Sequence, residues 1–266
     1  MDPAQDPAFA GWLRALEERH LSDLRFAEVR RGVEALSRRY VERRHAGSTS
    51  LGRGALDGRG KRAAFALFYG PLHYLVVRHI VDALGLAALP FERIVDLGCG
   101  TGAAAAAWAH GAGARPSIVG VEAHAWAVSE ARSCWRSFGL AGRVRVGDLL
   151  GFRLPGRGAG ILAAFVVNEL EAQARDELLE RLRGAGRRGA AILVVEPIAR
   201  AVAPWWDRWA EAFRGLGGRA DEWRFPGALP DLVARLDRAA GLDHRELTAR
   251  TLSVVGPGLT ERGHGA

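Results

Sequence analysis

Residues Ile94–His110 read IVDLGCGTGAAAAAWAH: an apolar run holding one acid, three glycines within five residues, then an alanine-rich segment. Glycine at that density lets something lie against bare backbone. The preceding run reads as a strand and the following segment as a helix. Any fold for this chain must therefore supply a strand–loop–helix unit that opens on a crevice.

The sequence downstream extends that unit. From Phe91 onward, apolar strand candidates at Ile94–Leu97, Ile118–Val121, Val144–Val146, Gly160–Val167 and Ala190–Val195 precede a last pair within His244–Val255. Helical stretches lie between them: Ala103–His110, Ala125–Phe138, Glu171–Arg183, Trp205–Phe213 and Leu229–Ala240. Buried strands alternating with helices predict an α/β doubly wound sheet of seven strands, mostly parallel, with one antiparallel strand near the end. Upstream, Phe9–Arg44 is helical in period, with Trp12, Leu13 and Leu16 followed by Phe26, Val29, Val33, Leu36 and Tyr40 at steps of three and four. A polar, glycine-rich linker spans His45–Arg62, and a second helical segment, Ala63–Leu84, is interrupted at Gly70-Pro71. The expected organisation is a helical N-terminal cap and linker over 1–90, then a ligand-binding domain over 91–266.

At 266 residues the chain fits one large domain, or one carrying a smaller appendage. No apolar run approaches the ~20 residues of a membrane-spanning helix, and no membrane partner is expected. The N-terminus, MDPAQDPAFA, lacks the plan of a signal or transit peptide, which predicts a cytoplasmic protein. Two cysteines, Cys99 and Cys134, are too few for a disulfide framework. No HExxH, CxxC or EF-hand pattern occurs, so no metal is expected. The net charge is +7 and Lys61 is the only lysine. That arginine usage reflects either a GC-rich coding sequence or a surface that meets phosphate or RNA.

Three ligands compete for the glycines. A triphosphate loop needs GxxxxGK(S/T), and the lone lysine lies far upstream. A dinucleotide reading is closer, because Gly98-Cys99-Gly100-Thr101-Gly102-Ala103 satisfies GxGxx(G/A) and Glu122 closes the next strand where a ribose binder belongs. Asp96 separates the rest. A carboxylate two residues before the first glycine sits badly beside a pyrophosphate: two like charges ~4 Å apart cost roughly 4 kcal/mol at an effective dielectric of 20. It sits well beside S-adenosylmethionine, which offers a ribose, an ammonium and a sulfonium. Asp148 ends the third strand, where an adenine amino group needs an acceptor.

These residues carry a resemblance. VDLGCGTG, then VGVE, then GD resembles the nucleotide-binding core of the class I S-adenosylmethionine-dependent methyltransferases. The resemblance implies that Asp96, Gly98, Gly100 and Gly102 line the methionine part and that Glu122 holds the ribose hydroxyls. Asp148 and Leu149 would border the adenine, and Ala123 and His124 would pack on its face. EVRRGVEALSRRY, RAAFALFYGPLHYLVVRHIV and VVNEL are similar to a narrower methyltransferase-like family linked to the mitochondrial small ribosomal subunit and its bacterial relatives. That similarity implies rRNA or the ribosomal small subunit as partner. The family's C-terminal cysteine cluster is absent here, so no iron–sulfur role is carried over.

Methyl transfer needs alignment and a route for a proton. The catalytic candidates follow the fourth and fifth strands: Asn168 and Glu169 in FVVNEL, and Glu196 in VVEPIAR. Glu169 is either a base or a helix-start acid. His73, Tyr74 and Tyr69 are either core residues or contacts to ligand. Trp205, Trp206 and Trp209 form either a buried helix face or an aromatic wall for a planar substrate. Residues 1–62 hold 13 basic and 9 acidic side chains, which tilts the substrate toward RNA or a ribosomal component. The alternatives are a small-molecule O- or N-methyltransferase and a cofactor-binding assembly factor with little turnover.

Overall fold

The apolar runs pair as a seven-stranded sheet in a computed structural model that describes residues 6–46, 56–199 and 203–256. The strands are β1 (Arg93–Leu97), β2 (Ser117–Glu122), β3 (Gly142–Val146), β4 (Ala159–Ala164), β5 (Ala191–Glu196), β6 (Arg219–Pro226) and β7 (Glu246–Val254), in the order β3-β2-β1-β4-β5-β7-β6. The first five run parallel; β7 pairs antiparallel with both β5 and β6. The order reverses between β1 and β4, which places a crevice at the carboxyl end of β1.

Alternation along the strands divides the core between two faces. Ile94, Leu162, Leu193 and Val195 face one layer with α1 (Pro7–His20), α2 (Phe26–Ala46), α4 (Gly70–Ala83), α5 (Ala103–Gly111) and α6 (Ala125–Ser137). Val95, Leu97, Ile161, Ala163, Ile192 and Val194 face the other, covered by α7 (Ala172–Arg187) and α8 (Trp206–Arg214). The run of alanines makes sense here: Ala103–Ala107 and Ala109 are all buried, and such small side chains let α5 lie close against α4.

The N-terminal helices share this core. Phe9 of α1 stacks on Tyr74 at 4.5 Å, and Tyr74 stacks in turn on Phe138 at 5.1 Å. Buried aromatics of this kind stabilise by roughly 1.5–3 kcal/mol each. Asp6 caps α1 by accepting the Ala8 N–H at 2.8 Å and also meets His110 Nε2 at 2.8 Å. Asp6→Ala is expected to cost about 1 kcal/mol or slightly more, read as a lower urea midpoint at unchanged slope.

Four expectations change. The single helical region of Phe9–Arg44 is two helices, broken at residues 21–25. The break expected at Gly70-Pro71 does not occur. A continuous helix runs from α3 (Arg59–Ala64) through a π-helical turn at Phe65–Tyr69 into α4. The wider turn bonds Gly70 N–H back to the Phe65 carbonyl, which makes room for the proline ring. This helix is long and apolar enough to cross a membrane by length and composition, yet 72% of its apolar window is buried in the fold, as in a core helix. β4 stops at Ala164 rather than Val167, because Phe165 turns the chain with a left-handed φ of 58°. The last strand pair is not confined to His244–Val255. That segment is β7 alone, and its partner β6 lies before α9 (Asp231–Ala239). Of the linker at 45–62, residues 47–55 lie outside the described residues, as does the side chain of Tyr40.

Candidate active site

The glycine loop leaves β1 and folds over its end. Gly98 and Cys99 both donate their N–H groups to the Val121 carbonyl, at 2.9 and 3.1 Å. Gly98, Gly100 and Gly102 all take positive φ, at 68°, 50° and 80°, a region open to glycine at no steric cost. Space enforces the choice as well. A Cβ on Gly98 would collide with the Val166 side chain, and one on Gly102 would lie 2.7 Å from Trp135 Nε1.

Glu122 locks this loop. Its Oε2 accepts the Gly100 N–H at 3.0 Å and its Oε1 accepts the His124 N–H at 2.8 Å. His124 then caps α6, its Nδ1 accepting the Trp126 N–H at 3.2 Å. Asp148 Oδ1 accepts the Leu150 N–H at 3.0 Å, capping a short turn that begins at Leu149.

A cavity of about 520 Å³ opens beside the loop, inside the usual range of small-ligand sites, roughly 300–1,000 Å³. Asp96, Gly98, Gly100, Glu122, Ala123, His124, Asp148 and Leu149 all line it. The structure thus brings these cofactor candidates together; Gly102 stands one step back against Trp135. Asp96 is 1% exposed, and neither of its carboxylate oxygens has a hydrogen-bond partner among the described residues. Burial, then the Glu122 charge, pushes its pKa up to about 8, with the Ala105 amide pulling the other way. An orphaned buried carboxyl beside bare glycine backbone suits a cationic nucleoside such as S-adenosylmethionine, and the residues present fit it.

The three catalytic candidates separate. Glu169 lines the cavity. Asn168 and Glu196 do not; they bond each other behind it. Glu196 Oε1 accepts the Val167 and Asn168 N–H groups at 2.8 and 3.2 Å, and Oε2 accepts Asn168 Nδ2 at 2.7 Å. Asn168 Oδ1 accepts Trp205 Nε1 at 2.9 Å. This network anchors the loop that carries Phe165, Val166 and Glu169 to the cavity wall. The tryptophans form a buried face: Trp205 and Trp209 pack edge-on at 4.9 Å in the second core layer, outside the cavity lining.

Sequence reasoning weighed His73 without placing it, and missed Phe65 and Phe165. His73 lines the cavity and stacks on Phe165 at 4.0 Å, with Phe65 edge-on at 6.2 Å. Burial pulls the His73 pKa down to about 4, so the ring is neutral at pH 7. Among the described residues no group of three or more His, Cys, Asp or Glu side chains is placed to hold a metal.

Residues 94–189 match the family described as a methyltransferase domain. No curated protein matches the chain. Among solved structures, a candidate O-methyltransferase from Nostoc punctiforme shares 12% identity at a TM-score of 0.52, over 92% of this chain and 71% of that one. Magnesium protoporphyrin IX methyltransferase from Synechocystis shares 15% at 0.48, over 70% and 80%. A candidate RNA methyltransferase from Pyrococcus horikoshii shares 14% at 0.46, over 69% and 82%. At these identities the likeness concerns the fold alone. The domain match over residues 94–189, with a site that fits the cofactor, supports an S-adenosylmethionine-dependent methyltransferase.

Proposed function

We propose that this enzyme methylates an O or N nucleophile on a small acceptor that enters the cavity beside Asp96. One observation carries the reading: the cavity wall is mostly apolar and aromatic, and among the described residues no arginine or lysine lines it. An RNA substrate brings phosphates to the reacting atom, and cations close by are what hold them. The wall here is Phe65, His73, Phe165, Val166 and Leu170, with Glu169 the acid beside them. Leu36 of α2 closes the cavity from the N-terminal side.

In this reading Asp96, Gly98, Gly100 and Gly102 hold the methionine end of the cofactor, and Glu122 its ribose. Asp148, Leu149, Ala123 and His124 border the adenine. Bound S-adenosylmethionine supplies a methyl group activated by its sulfonium. Glu169 holds or takes the acceptor's proton, while Asn168 and Glu196 position its loop.

Calorimetric titration tests the cofactor assignment. S-adenosylmethionine is expected to bind at about −8 kcal/mol, in the micromolar range, and Asp96→Ala or Glu122→Ala to weaken it at least tenfold. Equal affinity in all three proteins would refute the assignment. Labelled methyl from the cofactor is then offered to total RNA and to a metabolite extract. Label in the small-molecule fraction supports the proposal; label in RNA alone overturns the acceptor class.

The RNA or ribosomal reading keeps one observation in its favour. Arg31 and Arg38 are exposed on α2, the helix whose Leu36 reaches the cavity, and the chain carries +7. Binding without transfer to either pool would instead favour an assembly factor.

A further inference from the structure

His73 is a polar ring set in an apolar wall. It lines the cavity and is half-buried. Its contacts are to other rings: Phe165 stacked at 4.0 Å, Phe65 edge-on at 6.2 Å and Tyr69 tilted at 6.4 Å. Among the described residues neither ring nitrogen makes a hydrogen bond, and burial alone displaces its pKa. Polar groups inside a fold are normally hydrogen-bonded, so the exception calls for a partner from outside it. Elsewhere on the lining, Glu122, His124 and Asp148 all accept backbone N–H groups. A neutral imidazole still offers one donor and one acceptor.

Two backbone features place this ring. Phe65 and His73 are eight residues apart on one continuous helix, about 80° apart on an ideal one, and the π-helical turn at Phe65–Tyr69 brings them toward one face. Phe165 comes from the end of β4 at a left-handed φ of 58°, its N–H fixed to the Val195 carbonyl at 2.8 Å. Such a conformation persists where its surroundings enforce it. The chain on both sides of His73 rests on the glycine loop. A Cβ on Gly100 would lie 3.7 Å from Phe65 Cε1, and one on Gly98 would collide with Val166, the residue after Phe165. His73 is thus bracketed by groups that touch the two glycines assigned to the methionine end of the cofactor. Flat apolar faces beside an edge with a free donor and acceptor match a phenol-like guest.

We propose that His73 is a catalytic residue that holds the reacting hydroxyl of a small aromatic acceptor, its ring nitrogen accepting the O–H hydrogen bond while Phe65 and Phe165 cover the flat body. The inference rests on the small-acceptor reading above, narrows its nucleophile to oxygen, and gives the proton to His73 in place of Glu169. In the transfer the acceptor oxygen forms its bond to the methyl, the pair of the broken bond stays on sulfur, and the ring nitrogen receives the hydroxyl proton, later given up to water. An alkylammonium with a pKa of about 10 would hold its proton roughly a millionfold too tightly for an imidazole held at about 4. A hydroxyl oxygen that gains a methyl sheds its proton even to a weak base.

The test titrates 4-fluorophenol and its methyl isostere 4-fluorotoluene by fluorine-observed NMR with saturating S-adenosylhomocysteine. 4-Fluorophenol is expected to bind about fivefold more tightly, the effect of one hydrogen bond. His73→Phe, which keeps a ring against Phe165 and removes the nitrogens, is expected to reverse the order, because the desolvated hydroxyl then lacks a partner. His73→Gln, whose amide has both a donor and an acceptor, is expected to restore a preference of about twofold. Glu169→Gln is expected to leave the wild-type preference in place. Equal binding of the two probes by the wild type, or an unchanged preference in His73→Phe, overturns the assignment and leaves the small-acceptor reading standing. Loss of the preference in Glu169→Gln alone returns the proton to Glu169 and also overturns it. Binding of neither probe, with S-adenosylhomocysteine still bound, overturns both.

Discussion

A Glu196→Ala protein is expected to lose about 3–5 kcal/mol of stability, because three buried donors lose their acceptor. Glu196 is fully buried, and its two oxygens accept two backbone N–H groups and the Asn168 amide. Truncation strands all three donors in a dry interior, where each orphan costs about 1–3 kcal/mol. It also removes the acid opposite Arg250, its register partner on β7 and itself buried. Glu196→Gln should cost less but not nothing. One amide oxygen replaces one acceptor, while the new NH₂ confronts Asn168, whose own oxygen is held by Trp205. Urea unfolding of the two variants reads both figures. A loss under 1 kcal/mol for the alanine variant would mean the network anchors nothing.

The second large effect is in pH. With its pKa pushed up to about 8 by burial and the Glu122 charge, Asp96 keeps its proton at neutral pH in the free protein. A cation seated beside it favours the carboxylate, so binding must expel that proton. Affinity for S-adenosylmethionine is therefore expected to rise as pH rises, by up to tenfold per unit between pH 6 and 8, and to level off above 8. Asp96→Asn should abolish the slope. Calorimetry in buffers of different ionisation enthalpy should find close to one proton released at pH 7; a flat wild-type profile would refute the linkage. On this expectation the charge argument made from sequence applies to the complex, with a neutral acid in the free site.

Stability has the opposite sign. Asp96 and Glu196, both raised to about 8, contribute fully below their ordinary values of 3.8 and 4.5. Their contribution is lost as pH climbs toward 8. Ligand binding and folding therefore favour opposite ends of the same pH window.

How much of this could be read from sequence depends on the range of the determinant. β1, β2, β4 and β5 are buried on both faces and announce themselves as apolar runs. β6, RADEWRFP, is an edge strand with no fully buried residue, so its polar alternation passed for loop. Asp96, the glycines and Glu122 were legible because their spacing is local to one strand–loop–helix unit. The Asn168–Glu196 bond joins residues 28 apart through strand order, which spacing does not encode. Phe65 was missed, and His73 weighed without being placed, for another reason: an ideal helix sets them about 80° apart, and the π turn brings them toward one face. The tryptophans resolved to packing, the reading that their one-turn spacing favoured.

One indole ties the cofactor loop to a remote part of the sheet. Trp135 donates to the Gly102 carbonyl at 2.9 Å, and its ring fills the space that side chains at Gly102, Gly120 and Gly142 would occupy. Two of those glycines look like ordinary strand residues, yet each is a tolerance for the same bulky neighbour. Sensitivity to substitution in this enzyme should consequently reach well beyond the residues that a nucleoside could touch. A methyl group added at the start of β3 would be felt in the cradle as a shove relayed through a single rigid plate.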